Sequence, residues 1–491
     1  VRTADPSGLG LFRHRVRDLV TRPAATCGPD TPALEVARRF SRESIGSLVV
    51  VGPDGAPLGI VTDHDLRGRV VAMGREPATT TAAEIMSAPL VTVPPGAFAF
   101  DAVLEMTRRR IRHLVAVDEG RVIGVVSSRD LLGLQAAHPL TLARDVERAA
   151  SVEALTALGP RQVELVRALV EAGGTAYDIG QVVAELNDRV VGRVLDLTVE
   201  ALGAAGHVPA PVPFCWLVFG SEARREQTLR TDQDNGLVYA DPGPADAADA
   251  AAYYARLAEA AIANLVAVGF PPCPGDAMAS NPRWRQPVST WSAYFRRWID
   301  NPSPDELLAA SIYFDLRPLA GAAELAAPLE SILRTETPSA RVLLRLLARD
   351  VVERRVPRTL LGNVAVRRRG PKRGTVDIKS AGVLQLTGAA RVAALELGLA
   401  STNTVDRLRA AAERGVYTTS EVREITDAFQ HLMRLRLVHQ LGCVDAGLPP
   451  DNLVDPARLS RADALLLRDA FRTVERVQAS VGARFATELL G

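Results

Sequence analysis

Residues 214–241, FCWLVFGSEARREQTLRTDQDNGLVYAD, read as a strand, a tight turn, a short helix and a second strand. The apolar run Phe214–Phe219 breaks at Gly220-Ser221, and a second run, Leu237-Val238-Tyr239, follows Gly236 and an acidic pair, Asp232 and Asp234. In an extended segment, residues two apart face the same side with alpha carbons about 7 Å apart, so both carboxylates can reach one divalent ion or a pair of ions. Gly220 and Ser221, at the end of a strand and the start of a helix, offer small side chains and backbone N–H groups to a phosphate. Arg224 and Arg225 follow within one turn, then Glu226 and Gln227. Such a site suits Mg²⁺ held together with the phosphates of a nucleotide.

Two rival motifs fail on their spacing. A calcium loop starting at Asp232 would need Gly at its sixth position and Glu at its twelfth, where the chain has Leu237 and Gly243. No G-x-x-x-x-G-K-S/T run occurs, so the phosphate site is not a P-loop.

At 491 residues the chain is long enough for about three domains. A net charge of +1 supplies no global field toward nucleic acid or an anionic membrane, so neither is an expected partner. Lys372 and Lys379 are the only lysines, and arginine carries the remaining positive charge. Cys27, Cys215, Cys273 and Cys443 are scattered, which indicates neither a disulfide framework nor a structural zinc motif and fits a reducing cytoplasm. No apolar run approaches the roughly 20 residues that span a bilayer, and the first residues lack a signal-peptide core. The chain opens on Val1 rather than Met, which leaves an upstream segment open.

The N-terminal part is an internal repeat. Gly59-Ile60-Val61-Thr62-Asp63-His64-Asp65-Leu66 overlays Gly124-Val125-Val126-Ser127-Ser128-Arg129-Asp130-Leu131, and the apolar runs 45–51 and 111–117 precede them. Each run leads through a Gly-containing turn, at 53–55 and at Glu119-Gly120, into a second strand. Apolar residues at helical spacing place a helix before each hairpin, about 33–42 and 100–109. The doubled G-h-h-S/T-x-x-D motif (h, apolar) resembles a tandem pair of CBS domains over residues 14–137. The resemblance implies that Thr62 with Asp65, and Ser127 with Asp130, contact the ribose and phosphate of an adenine nucleotide. The same residue types also cap helices, and that plainer role stays open.

Residues 138–206 read as helices, with Gly173-Gly174 between two segments, and are expected to link domains. The Pro-rich run 209–213 then stiffens the entry to the central stretch. There the pattern G-S-x-x-R-x-E-x-x-x-x-x-D-x-D resembles the nucleotidyltransferase fold of the DNA polymerase beta superfamily. More specifically, it resembles nucleotidyltransferases related to the bacterial protein-PII uridylyltransferases, which commonly carry CBS pairs. The resemblance implies that Gly220 and Ser221 hold nucleotide phosphates, that Asp232 and Asp234 bind Mg²⁺, and that a further acid lies on a neighbouring strand. The run Ser311–Pro318 matches as an apolar strand ending in Asp315, which would complete the metal site or take the acceptor's proton; an ion pair with Arg317 is the alternative. Arg224 is assigned to leaving-group charge, with an ion pair to Glu226 as its alternative.

The segment 273–284 also matches that family, with Asn281 and Arg283 as weaker candidates for base or acceptor contacts. Trp291, Phe295 and Trp298 share a helix face and read as core. The nucleotidyltransferase domain is placed at 207–330 and a helical substrate-binding domain at 331–491, giving a multidomain α/β plus all-α chain. In the latter, Thr418-x-x-Glu421 and Ser460-x-x-Asp463 read as helix starts. The basic loop 367–374 leads to Val376-Asp377-Ile378-Lys379 and faces either phosphates, an acidic acceptor surface or solvent. His431 and His439 read as structural.

Together these readings describe a cytoplasmic Mg²⁺-dependent enzyme that moves a nucleoside monophosphate from a nucleoside triphosphate to a hydroxyl acceptor of unknown identity, a protein being one candidate. An adenine nucleotide at the CBS pair would regulate it, and a homodimer is expected. The alternative is a catalytically inactive nucleotide sensor or scaffold.

Overall fold

The computed structural model describes residues 15–20, 23–118, 120–132, 139–229, 232–358, 364–367, 369 and 372–490. Glu119, Arg230, Thr231, Arg368, Gly370 and Pro371, together with both outer limits of the expected CBS region at 14 and 137, lie outside the described residues. The chain forms two compact units, one running to Ala143 with Glu171–Gly174 added, the other comprising Arg144–Val170 and everything from Thr175 onward. No helix among the described residues is long and apolar enough to cross a membrane.

The first unit repeats one architecture. In copy one, β1 (Thr26–Cys27), β2 (Ser47–Val51) and β3 (Pro57–Thr62) form a sheet in that order, with helix α1 (Ala33–Glu43) between β1 and β2. In copy two, β4 (Thr92–Val93), β5 (His113–Asp118) and β6 (Arg121–Ser127) do the same, with α2 (Ala99–Arg109) between β4 and β5. The first pair of each sheet is parallel and the second antiparallel, and register places Ser47 opposite Thr62 and His113 opposite Ser127. Both helices bury one face: Val36 and Phe40 in α1, Phe100, Val103 and Met106 in α2.

The second unit is built on a four-stranded mixed sheet of order β10-β7-β8-β9, where β7 is Phe214–Phe219, β8 Asn235–Tyr239, β9 Arg285–Pro287 and β10 Leu316–Gly321. Alternation along β7 sends Trp216 and Val218 into a core shared with helices α3 (Ala176–Ala204) and α4 (Ala247–Val268). Phe219 points the other way, its ring centroid 5.7 Å from Trp291 on α5 (Val288–Asp300) and 4.7 Å from Tyr313 on α6 (Pro304–Tyr313). Gly236 lies under this aromatic layer, where a β-carbon would meet Phe219, Trp284 and Trp291 atoms at 3.0 Å.

Two expectations change. The segment 138–206 is no mere linker: Val190, Val191, Val194 and Leu195 of α3 lie in one core with Trp216 and Leu237. A helix apolar over so much of its surface must be covered, and the sheet covers it. The expected strand ending in Asp315 is instead the end of α6, and β10 begins after it at Leu316. A short apolar run does not distinguish a buried helix end from a buried strand, and here Tyr313 and Phe314 complete the aromatic layer against Trp298.

The C-terminal part packs α7 (Arg341–Glu353), α8 (Leu384–Glu396), α9 (Thr404–Glu413), α10 (Thr419–Asp445) and α11 (Arg461–Phe485), with a short ribbon of β11 (Val376–Asp377) and β12 (Leu453–Val454). Both expected helix starts are present. Thr418 and Glu421 form a reciprocal capping box, and Ser460 Oγ accepts from Asp463 N.

Candidate active site

The turn after β7 is a single helical turn, Gly220–Ala223, entered through a left-handed Gly220 (φ +55°). A β-carbon at Gly220 would also lie 3.0 Å from Asp234 Oδ2, so glycine is required by both backbone and contact. The backbone closes the site further: Phe219 N donates to Asp234 O at 2.9 Å and Gly220 N to Asp315 O at 3.1 Å. Residues 232–235 alternate as expected of an extended segment, with Asp232 exposed, Asp234 half-buried, and Gln233 and Asn235 buried on the opposite side. Those two amides hold the neighbouring loop: Gln233 Nε2 donates to Phe270 O at 3.2 Å and Asn235 Oδ1 accepts from Ala279 N at 2.8 Å.

Burial pushes the Asp234 carboxyl up, opposed by a hydrogen bond from the Cys273 thiol and by Lys379. Asp232 adds to the rise. Two carboxylates on one edge, one of them desolvated, are a donor set that fits Mg²⁺, because the ion would offset that burial.

Asp315 reaches this edge only through its backbone. Its carboxylate is fully buried and takes Arg224 Nη1 at 2.6 Å, Arg391 Nη2 at 2.6 Å and Arg407 Nη1 at 2.6 Å. Burial alone would raise this carboxyl, but Arg391, Arg407 and Arg224 outweigh it and hold it well below the usual carboxylate range. Its catalytic assignment is therefore corrected to a structural one. Arg317, the alternative partner, pairs with Asp188 at 2.7 Å. Arg224 is likewise engaged, its Nε on Glu226 at 2.8 Å, and is not presented to a leaving group. Asn281 caps its own loop through Arg283 N at 2.9 Å, and Arg283 stacks over Trp284 at 4.6 Å.

A cation that does face the acidic pair, Lys379, comes from the helical part. Lys379, just after β11, has its ammonium pushed down by burial and by Arg436, against the pull of Asp232 and Asp234. Buried Arg436 on α10 pairs with Asn452 Oδ1 at 2.9 Å and the Met433 sulfur, not with a carboxylate, and burial pushes it down to about 10. Lys379 was visible in the sequence as one of two lysines in an arginine-rich chain; Arg391, Arg407 and Arg436 carried no local signal.

The turn is gripped from the same side. Thr402 Oγ1 donates to Ala223 O at 2.9 Å, Asn403 Nδ2 to Arg224 O at 2.9 Å, and Thr404 N to Glu226 Oε1 at 2.6 Å. Beneath it, burial pushes the Glu222 carboxyl up to about 8, with Asp188 and Asp234 adding to the rise against Arg317.

In the first unit, both motifs line one open cleft of about 1490 Å³, larger than the roughly 300–1,000 Å³ of common small-molecule sites. Thr62, Asp65, Ser127 and Asp130 lie on it with Gly46, Arg112 and His113. The capping role is also real: Asp65 Oδ2 accepts from Thr62 N at 2.9 Å and Oγ1 at 2.6 Å, and Asp130 Oδ2 from Ser127 N at 2.8 Å and Oγ at 2.6 Å.

A doubled G-h-h-S/T-x-x-D motif over one cleft, and a glycine turn packed on Asp234 of an acidic pair, define a two-part class, a CBS pair joined to a nucleotidyltransferase unit. Comparison with known families agrees. "CBS domain" matches residues 16–72 and 82–137, "Putative nucleotidyltransferase DUF294" residues 160–305, and "Putative nucleotidyltransferase substrate binding domain" residues 341–485. The chain belongs to the CBS-domain-containing members of this nucleotidyltransferase family. It is 33% identical over 134 residues to the uncharacterized protein MK0525 of Methanopyrus kandleri, covering 27% of this chain and 68% of that one. The CBS domain-containing protein YhcV of Bacillus subtilis is 34% identical over 116 residues, 24% of this chain and 81% of its own. Among solved structures, the CBS domain protein PAE2072 from Pyrobaculum aerophilum complexed with AMP is 30% identical over 27% of this chain and 99% of that one, with a TM-score of 0.24.

Two stability measurements test this description. Asp315→Asn leaves three arginines without their shared anion and should cost about 3–5 kcal/mol in urea unfolding; a loss under about 1 kcal/mol would contradict the structural role. Glu222 starts from an ordinary value of 4.5 and reaches about 8. Below 4.5 both folded and unfolded states hold its proton, and between 4.5 and 8 only the folded state does, so stability falls as pH rises through that window. Glu222→Gln should remove that loss, gaining on the order of 3 kcal/mol over the wild type at pH 7 in chelator-treated protein, and nothing at pH 4.5.

Proposed function

We propose that the second unit transfers a nucleoside monophosphate from a nucleoside triphosphate to a hydroxyl acceptor in a Mg²⁺-dependent reaction. The observation that carries this reading is the left-handed Gly220 turn packed against Asp234, with Asp232 on the same edge. Asp232 and Asp234 would hold Mg²⁺, which supplies charge stabilisation for in-line displacement at the α-phosphate. Ser221 approaches the phosphates through its backbone N–H, that of Gly220 being taken by Asp315 O, while Lys379 takes the place assigned to Arg224 and opposes the charge of the departing pyrophosphate. The acceptor oxygen forms the new bond to the α-phosphorus as the bond to the pyrophosphate oxygen breaks, and the hydroxyl proton leaves on the exposed side, where Asp232 lies.

In the first unit, an adenine nucleotide would bind at Thr62, Asp65, Ser127 and Asp130 and bias the transfer by about 1–3 kcal/mol, the usual size of allosteric coupling. A protein acceptor of the PII type and a homodimer are part of the same proposal. The enclosure of Asp315, which leaves two acidic side chains rather than three at the edge, favours a second reading: a nucleotide sensor that binds without transferring.

Transfer of label from α-labelled nucleoside triphosphates into protein and small-molecule acceptors separates the two. Asp232→Asn with Asp234→Asn should lower transfer by at least about 100-fold, and Lys379→Met by about 10- to 100-fold. Equal labelling by the wild type and the acidic double variant excludes the enzyme; tight triphosphate binding without transfer across a broad acceptor screen selects the sensor. Calorimetry with AMP, ADP and ATP tests the cleft. Asp130→Ala should lose binding of at least one of them, whereas an unchanged isotherm would restrict Asp130 to capping.

A further inference from the structure

Near the C-terminal end of α10, His439 and Cys443 stand one helical turn apart on a common face. Asp451 returns to them from the turn after the helix. His439 Nε2 lies 2.6 Å from Asp451 Oδ1 and 3.5 Å from Cys443 Sγ, and the three donor atoms all lie within 4.8 Å of one another. Among the described residues, no other group of three or more His, Cys, Asp and Glu side chains converges in this way. Cys443 is buried, while His439 and Asp451 are half-buried, so the cluster has a protein floor and an open side.

Imidazole nitrogen, thiolate and carboxylate form a borderline-soft donor set, unlike the all-oxygen set of Asp232 and Asp234. We propose that His439, Cys443 and Asp451 form a second metal site, selective for a zinc-class divalent transition ion, with the fourth coordination position open. Bonds of about 2.0–2.3 Å to a tetrahedral ion would set neighbouring donor atoms roughly 3.3–3.7 Å apart. The His439–Cys443 separation already matches this, and the His439–Asp451 hydrogen bond must open by about 0.7 Å, with Nε2 binding the ion through its lone pair and the neutral ring carrying its proton on Nδ1. Cys443 also releases its thiol proton to solvent, and thiolate and carboxylate together balance the dication.

Asp451 is supported for this role. Leu453 N donates to Oδ1 at 2.9 Å, and Lys372 Nζ occupies the other oxygen, Oδ2, at 2.9 Å in an exposed pair that is easily given up. The neighbouring Asn452 accepts from Arg436 Nε at 2.9 Å through its side chain and from Ile378 N at 3.1 Å through its backbone. An ion on Asp451 therefore ties the end of α10 to the ribbon that precedes Lys379.

The test uses the full chain, stripped with chelator and kept in excess Mg²⁺, titrated with Co²⁺ as the probe. One equivalent should bind with a thiolate-to-cobalt charge-transfer band in the near ultraviolet, and Zn²⁺ should displace it. Cys443→Ala should abolish the band and Cys27→Ala should retain it. Asp451→Asn should keep the band but weaken Co²⁺ binding about tenfold or more. Absence of the band in folded wild-type protein, or its survival in Cys443→Ala, overturns the site. Should Cys443→Ala fail to fold, Asp451→Asn at its half-exposed position decides, and unchanged Co²⁺ affinity there overturns the site equally.

Discussion

One buried carboxylate holds the second unit together. Asp315 follows α6, yet its partners stand 91, 76 and 92 residues away in sequence, on the glycine turn, on α8 and on α9. A lone carboxylate at complete burial would be protonated or expelled, and a lone buried arginine would be equally costly. Each is tolerated because the others are present. The cluster thereby couples the end of the sheet to the helical part: if either withdraws, charges are left in a dry interior.

That coupling explains why the candidate site is assembled from both ends of the unit. The strand edge supplies Gly220, Asp232 and Asp234, and the helical part supplies Lys379. The cap of α9 grips the same turn, with Asn403 and Thr404 satisfying Arg224 O and Glu226 Oε1. A turn held by three hydrogen bonds and an ion cluster is preorganised, so the Ser221 N–H would need little rearrangement in the proposed phosphate contact. The same rigidity burdens Glu222, a carboxyl kept protonated beneath the acidic pair because its surroundings offer too little compensation for charge.

The N-terminal unit shows two roles for one set of residues. Thr62 with Asp65, and Ser127 with Asp130, cap the helical turns that follow their strands, and they also line the shared cleft. Capping and ligand binding are compatible because a carboxylate has more acceptor sites than a cap consumes. The repeat places both copies in the same register, so the cleft receives corresponding residues from each.

Much of this organisation is periodic and therefore legible from residue order. The doubled motif set the two three-stranded sheets, alternation set the faces of Asp232 and Asp234, and Thr418 with Glu421 and Ser460 with Asp463 marked helix starts, because each depends on residues within a few positions of one another. The uses of Asp315, Arg224 and α3 were not legible. An apolar run before Asp315 is the same letters in a helix end or a strand, and an apolar helix announces that it must be covered without naming its cover. Arg224 is followed two positions later by Glu226, which a local reading can pair, but its bond to Asp315 closes only when the chain has folded. The sequence by itself determined the local elements, the repeat and the acidic edge; the tertiary structure decided which charges remain open to a ligand and which are consumed by one another, since long-range ion pairing depends on distances that local order does not contain.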